Sequence, residues 1–265
     1  MPMTERRNKS DRRMTDQHPL SDALAAAIER HEVEIVFQPQ YACADGSLVG
    51  AEALVRWTSP EHVVVSGDLV FAIADVAGLT SDLVRHVRET AMQAAKAWPD
   101  HLRLSINVTA ADLGEADFVR SITDAMVKTG ISAKRLTLEI TEQALVRDLE
   151  RSAQRLRELV DLGMRIALDD FGAGFCNFNY LKVLPLHYLK LDRAMVDGIA
   201  QDPRDLAVLR GIIAMAHALE LSVIAEGIET ADQRAAITSE GCDTWQGFLG
   251  AKAMGAGEFA KLARG

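Results

Sequence analysis

The chain has little cysteine: Cys43, Cys176 and Cys242 are the three among 265 residues, odd in number and far apart. Their spacing offers neither a disulfide framework nor a zinc site, and so few thiols suit a reducing, cytoplasmic setting. There is no apolar run of membrane-spanning length. There is no basic excess either: 38 acidic residues stand against 29 basic ones, a formal net charge of −9. Phosphate polymers call for a basic face, so a nucleic-acid polymer is not an expected partner. A small anionic ligand stays open, because metal ions can supply positive charge locally. The N-terminal stretch carries Arg6, Arg7, Lys9, Arg12 and Arg13 with no apolar segment behind them, unlike a secretory signal. Residues 1–18 read as a disordered tail and 19–265 as one domain.

What is present is an ordinary globular mixture, 48% hydrophobic and 25% charged. A helix is expected from about Ser21, a plausible N-cap, to His31, with Leu24, Ala25 and Ile28 as its apolar stripe. Glu34 to Gln40 and Leu48 to Trp57 read as strands joined by Ala44-Asp45-Gly46-Ser47, a link too short for a crossover, so the two should be antiparallel. Helices then alternate with strands at Leu102–Val108, Leu136–Thr141, Arg165–Phe171, Tyr188–Asp192, Ser222–Ile228 and Thr244–Phe248. Regular alternation means a parallel sheet covered by helices. Eight strands suggest an α/β fold of the TIM-like (β/α)₈ barrel type, its first strand antiparallel to the rest.

Barrel active sites lie at the carboxyl ends of the strands. Polar residues interrupt the apolar strands there: Gln38, Glu52, Arg56, Asn107, Glu139, Asp169, Asp170, Lys190, Asp192, Glu226 and Gln246, with Glu142 and Glu229 just beyond. Adjacent strand residues point to opposite faces, so Asp169 and Asp170 can share a site only where their strand is ending. Gly172 and Gly174 follow at once and permit a sharp turn. So many carboxylates could not be buried unpaired. Hard divalent cations would resolve the conflict, since Mg²⁺ and Mn²⁺ prefer oxygen ligands, and no His or Cys clusters here as zinc would want. An aspartate bridging two ions would explain the Asp169–Asp170 pair. Two such ions suit hydrolysis of a phosphate ester or diester.

Several motifs also carry a resemblance. Phe37-Gln38-Pro39, Ala51-Glu52-Ala53-Leu54-Val55-Arg56-Trp57, Asn107-Val108-Thr109, Leu138-Glu139-Ile140-Thr141-Glu142 and Leu168-Asp169-Asp170-Phe171-Gly172 resemble those of the EAL-domain cyclic di-GMP phosphodiesterases. Leu189-Lys190-Leu191-Asp192, Ala225-Glu226-Gly227-Ile228-Glu229-Thr230, Gly241-Cys242-Asp243 and Gln246-Gly247-Phe248 continue the match in order. The resemblance implies a barrel with one reversed strand and hydrolysis of cyclic di-GMP to linear pGpG with Mg²⁺ or Mn²⁺. It implies that Glu52, Asn107, Glu139 and Asp169 hold a first ion, and Asp169, Asp170 and Glu226 a second. It makes Glu226 the general base and Lys190 the residue that positions the attacking water. Asp192, Glu229 and Gln246 would support metals, water and substrate. Gln38, Leu54 and Arg56 would contact the dinucleotide. Glu142 would anchor the loop after Asp170, a loop tied to metal binding and dimerisation.

In that loop Cys176 and Asn177 stand where the family usually has serines. A homodimer through the barrel and a regulatory protein are the expected protein partners. No attached sensor or cyclase domain is expected. A non-catalytic receptor for the dinucleotide and an interaction module on the same fold are the alternatives. The resemblance implies that such receptors lose acidic ligands, and the acidic set is complete in this chain.

Overall fold

Two of the predicted strands, Leu136–Thr141 and Arg165–Phe171, form between the residues predicted for them. Both are apolar runs bounded by turn residues, a pattern that only a buried strand satisfies at that length. The computed structural model describes residues 9–61, 63–145, 148–173 and 178–265. Its strands are β1 Glu34–Ala42, β2 Leu48–Thr58, β3 Val64–Ser66, β4 Arg103–Val108, β5 Leu136–Thr141, β6 Arg165–Phe171, β7 Tyr188–Leu191, β8 Ser222–Ala225, β9 Thr244–Gln246 and β10 Met254–Gly255.

The larger of two units comprises Val36–Leu54 and Arg88–Gly265. Here β2, β4, β5, β6, β7, β8 and β9 run parallel in that order. Strand β1 pairs antiparallel with β9, Gln40 facing Gln246, and its pairing with β2 closes the ring. The predicted α/β barrel with a reversed first strand is thus observed. The hairpin link tightens where the Ala42 N–H donates to Ser47 O at 2.9 Å and the Gly46 N–H to Ala42 O at 3.0 Å. Phe37, Trp98 and Phe259 pack at the β1 side of the unit, with the Phe37 and Trp98 rings edge to face at 5.1 Å and those of Trp98 and Phe259 4.4 Å apart. All three are buried, and aromatic side chains of that size dominate core burial.

The second unit comprises the chain up to Ile35 and Val55–Val87. Strand β3 pairs antiparallel with the end of β2, Arg56 facing Ser66. The helix Gly67–Ala77 buries Val70 and Ala74 and ends on Gly78 in the left-handed conformation, a common helix stop. His86 is buried, with Nε2 2.9 Å from Val33 O and Nδ1 3.2 Å from His31 Nδ1.

The structure departs from the sequence expectation in places. The first helix spans Lys9–Glu29, with Pro19 inside it, and so begins well before the Ser21 cap. Strands β3 and β10 were not predicted, because runs of two or three residues carry no readable period and form only when a partner strand lies alongside. After β4 the chain forms two helices, Ala110–Gly114 and Phe118–Thr129. Among the described residues no helix is long and apolar enough to cross a membrane.

Candidate active site

Lys190 sits on β7 between apolar neighbours, Leu189 and Leu191, that are wholly buried. Its own side chain is 1% exposed. The ammonium lies 2.6 Å from Glu139 Oε2, 2.7 Å from Glu226 Oε1, 2.9 Å from Asp169 Oδ2 and 3.5 Å from Glu52 Oε2. Five residues predicted from five different strands or strand ends therefore converge on one point. The parallel registers make this possible: Asn107 faces Glu139 across β4–β5, and Thr141 faces Asp169 across β5–β6.

Amides hold the carboxylates in place. Asn107 Nδ2 donates to Glu52 Oε1 at 2.9 Å, which leaves the Asn107 oxygen as the atom it can offer a cation. Gln246 Nε2 donates to Glu52 Oε2 at 2.8 Å and to Glu226 Oε1 at 3.0 Å. Gln40 in turn donates to Gln246 Oε1 at 3.0 Å, which fixes which end of the Gln246 amide faces the acids. Gln40 and Gln246 are both buried.

The Asp169–Asp170 pair solves its geometry through an irregularity. The β6–β7 register shifts between Leu168 and Phe171, and Asp170 adopts φ 57°, a conformation short polar side chains tolerate best after glycine. The Asp170 N–H donates to Asp169 Oδ1 at 2.9 Å. Asp169 is buried, whereas Asp170 is exposed at the mouth of the barrel. Gly172 follows at φ 101°, where a β-carbon would also overlap the Met195 side chain. Gly174, Cys176 and Asn177 lie outside the described residues. So does much of the loop that Glu142, the first residue of the helix Glu142–Leu145, was predicted to anchor.

The charge balance is strained. Burial pushes the Glu139 carboxyl well above the usual carboxylate range, with the Glu52 charge adding to it. Burial lifts Glu226 to about 8; Lys190 opposes the rise, and Asp169 and Glu52 add to it. Partial desolvation and then the Asp169 charge lift Asp170 to about 6. Burial works against the charge on Glu52 too, but Lys190, Gln246 and Asn107 outweigh it and hold that carboxyl below its ordinary value. Lys190 pays the same desolvation, yet Asp169, Glu139, Glu226 and Glu52 outweigh it and raise its pKa far above the usual lysine value. One ammonium therefore faces more negative charge than it can neutralise.

A metal centre fits this site. Glu52, Glu139 and Asp169 offer three oxygens within 4.8 Å of one another. Glu139 Oε1 is buried with no hydrogen-bond partner. An oxygen-only donor set of this kind suits a hard divalent cation.

Beside the acids lies a cavity of about 190 Å³ lined in part by Gln38, Glu226, Glu229 and Gln246. Arg193 and Phe248 line it as well, and sequence reasoning had assigned neither a role. Arg193 Nη1 pairs with Glu229 Oε1 at 2.7 Å. Asp192 caps the short helix Arg193–Val196, its Oδ1 accepting from the Ala194 N–H at 2.9 Å. Leu54 is half-buried at the end of its segment. Arg56 belongs to the second unit, where its Nη1 donates to Val55 O at 2.7 Å. Gln40 was also missed; its signal was the two-residue spacing from Gln38, which places both on one strand face.

Residues 21–253 match the family model described as the EAL domain. The chain belongs to the EAL-domain family. One relative of this EAL domain is the bifunctional diguanylate cyclase/cyclic di-GMP phosphodiesterase MucR of Pseudomonas aeruginosa, 32% identical over 88% of this chain and 35% of that protein. Another is the cyclic di-GMP phosphodiesterase NbdA of the same organism, 34% identical over 89% of this chain and 31% of that protein. The chain thus spans about a third of the length of these relatives. Among solved structures, the MucR phosphodiesterase in complex with cyclic di-GMP superposes with a TM-score of 0.85 at 32% identity, covering 91% of this EAL domain chain and 99% of that one. The EAL enzyme Bd1971, bound to cAMP and cyclic di-GMP, superposes with a TM-score of 0.88 at 30% identity, covering 94% and 69%.

Proposed function

We propose that this EAL domain hydrolyses cyclic di-GMP to linear pGpG with two divalent cations, Mg²⁺ or Mn²⁺. The observation that carries the reading is the convergence of Glu52, Glu139, Asp169 and Glu226 on the buried Lys190 ammonium, next to an open cavity. No acidic position expected of an active member is replaced. By this reading Glu52, Asn107, Glu139 and Asp169 hold one ion, and Asp169, Asp170 and Glu226 the other. When bound, the ions supply Lewis acidity at the phosphodiester and offset the charge of the leaving oxygen.

The residues of the chain do the rest. Lys190 donates to the attacking water and holds it in line with phosphorus. Glu226, kept in place by Gln246, accepts the water proton as the new P–O bond forms. The P–O3′ bond breaks, the released 3′ oxygen takes a proton from solvent, and the phosphate stays on the 5′ side of the linear product. Gln38 binds the dinucleotide from the cavity wall, and Arg193 holds Glu229 beside it. Leu54 and Arg56 make further contacts to the substrate, the guanidinium fork suiting a phosphate.

Incubation of the purified chain with cyclic di-GMP and Mn²⁺, followed by chromatography of the nucleotides, tests the proposal. Appearance of pGpG supports it. Saturable binding without pGpG would overturn it in favour of a receptor.

A further inference from the structure

We propose that Cys43 and Cys242 form a reversible disulfide when the protein meets a peroxide. The two are 199 positions apart in sequence, and no spacing rule pairs them. The fold brings them together. Strand β1 ends at Ala42, which faces Thr244, the first residue of β9. One step further the Cys43 N–H donates to Asp243 O at 2.9 Å, and Cys242 is the next residue.

In a continued ladder these two side chains would point to opposite faces. The chain leaves the ladder here, however. The Cys242 N–H turns back to Ile237 O at 3.0 Å, and the Asp243 N–H goes to Val223 O at 3.2 Å. The turn brings the two thiols into mutual contact, where each perturbs the other. Cys43 lies opposite Asp243, so Cys242 is its diagonal neighbour, and a side-chain hydrogen bond between the two thiols brings the sulfurs together as a disulfide requires.

The two sulfurs are also chemically unequal. The Cys242 thiol lies 3.4 Å from Val223 O and 3.3 Å from Thr244 O, and it is driven well above the ordinary thiol range, first by Cys43 and then by burial. Cys43 is held below that range, chiefly by its interaction with Cys242. Thiolate is the reactive form, so Cys43 is the attacking sulfur. It is buried, at 6% exposure, which favours a small oxidant over a bulky disulfide.

The Cys43 thiolate attacks one peroxide oxygen. The O–O bond breaks, and the departing hydroxide takes a proton to become water, leaving a sulfenic acid. The Cys242 sulfur then attacks the sulfenic sulfur. The S–S bond forms, the S–O bond breaks, and the hydroxyl leaves as water with the Cys242 proton. Two thiols are oxidised, and one hydrogen peroxide is reduced to two waters. The bond ties the reversed strand to β9, four residues before Gln246.

The full chain should be treated with hydrogen peroxide, alkylated and digested without reductant for mass mapping. A peptide joining Cys43 to Cys242 is expected, lost on addition of dithiothreitol and retained in Cys176→Ser. The melting temperature of the oxidised protein should rise by about 10 °C, since the bond closes a very long loop. Cys43→Ser and Cys242→Ser should each remove both the linked peptide and the rise. The proposal is overturned if both sulfurs are recovered alkylated, if each is oxidised separately, or if Cys43 is found joined to Cys176. The mapping uses the unmodified chain, so it decides the matter even where a serine variant fails to fold.

Discussion

The Lys190 ammonium donates to Glu139 Oε2 across 2.6 Å, and both side chains are almost wholly removed from water. This lysine is the countercharge on which the acidic cluster depends. Removing one partner from a buried ionic cluster typically costs about 3–5 kcal/mol, because the charges left behind are uncompensated. Lys190→Met should therefore melt well below the unmodified protein in the presence of EDTA. Added Mn²⁺ should restore more stability to the variant than to the parent, since the cation takes over neutralisation. Turnover should fall sharply at saturating metal. An unchanged rate would remove Lys190 from the proposed reaction, and an unchanged melt would show that it is not the countercharge.

Glu52→Ala should abolish pGpG formation while the fold survives. Glu52 accepts from both Asn107 and Gln246, and it is one of the three carboxylates close enough to share a cation. Its loss relieves repulsion on Glu139 and Glu226 but leaves the Asn107 and Gln246 amides without that acceptor, so the melting temperature should fall while the fold survives. Circular dichroism and a nucleotide assay on the same sample check both halves. Near-normal turnover would refute the ligand assignment.

Gln40→Leu tests whether Gln40 positions Gln246. Gln246 Oε1 would lose its buried donor, an unsatisfied group worth about 1–3 kcal/mol. The amide would then be free to turn away from Glu52 and Glu226. We expect a loss of roughly tenfold in kcat, equivalent to about 1.4 kcal/mol, with little change in KM. A purely structural role would lower the melting temperature and leave kcat alone.

Gly247→Ala should weaken substrate binding and stability together. A β-carbon at Gly247 would overlap the backbone of Ile228, whose N–H donates to Gln246 O at 3.1 Å and whose carbonyl accepts from Leu249 at 3.0 Å. Pushing these segments apart moves both Gln246 and the Glu229 wall of the cavity. Overpacking of this kind costs about 1–3 kcal/mol. Thermal melts and a binding titration with cyclic di-GMP would register it; a variant with parental values would show that the approach is not needed.

Replacing Mn²⁺ by Ca²⁺ should keep dinucleotide binding and lose hydrolysis. Calcium accepts the same oxygens but is larger and looser in coordination, so it holds the reacting groups less exactly in line. Calorimetry beside the pGpG assay separates the two effects. Equal turnover with both ions would argue against a geometry-demanding metal site.

The order of strands and helices was legible because it is a local property. Apolar runs of strand length, bounded by turn residues, account for β5 and β6. The short link after Ala42 was enough to reverse β1. The residue types at the strand ends were legible too, since carboxylates in apolar runs are conspicuous. What the sequence could not contain was distance. That Lys190 touches Glu139 and Asp169, that Gln40 orients Gln246, and that Cys43 meets Cys242 all depend on strands paired around a closed ring. The sequence alone therefore determined the elements and the kinds of chemistry available. The tertiary structure decided which groups share one low-dielectric space, because burial and charge act through distances that only the folded chain sets.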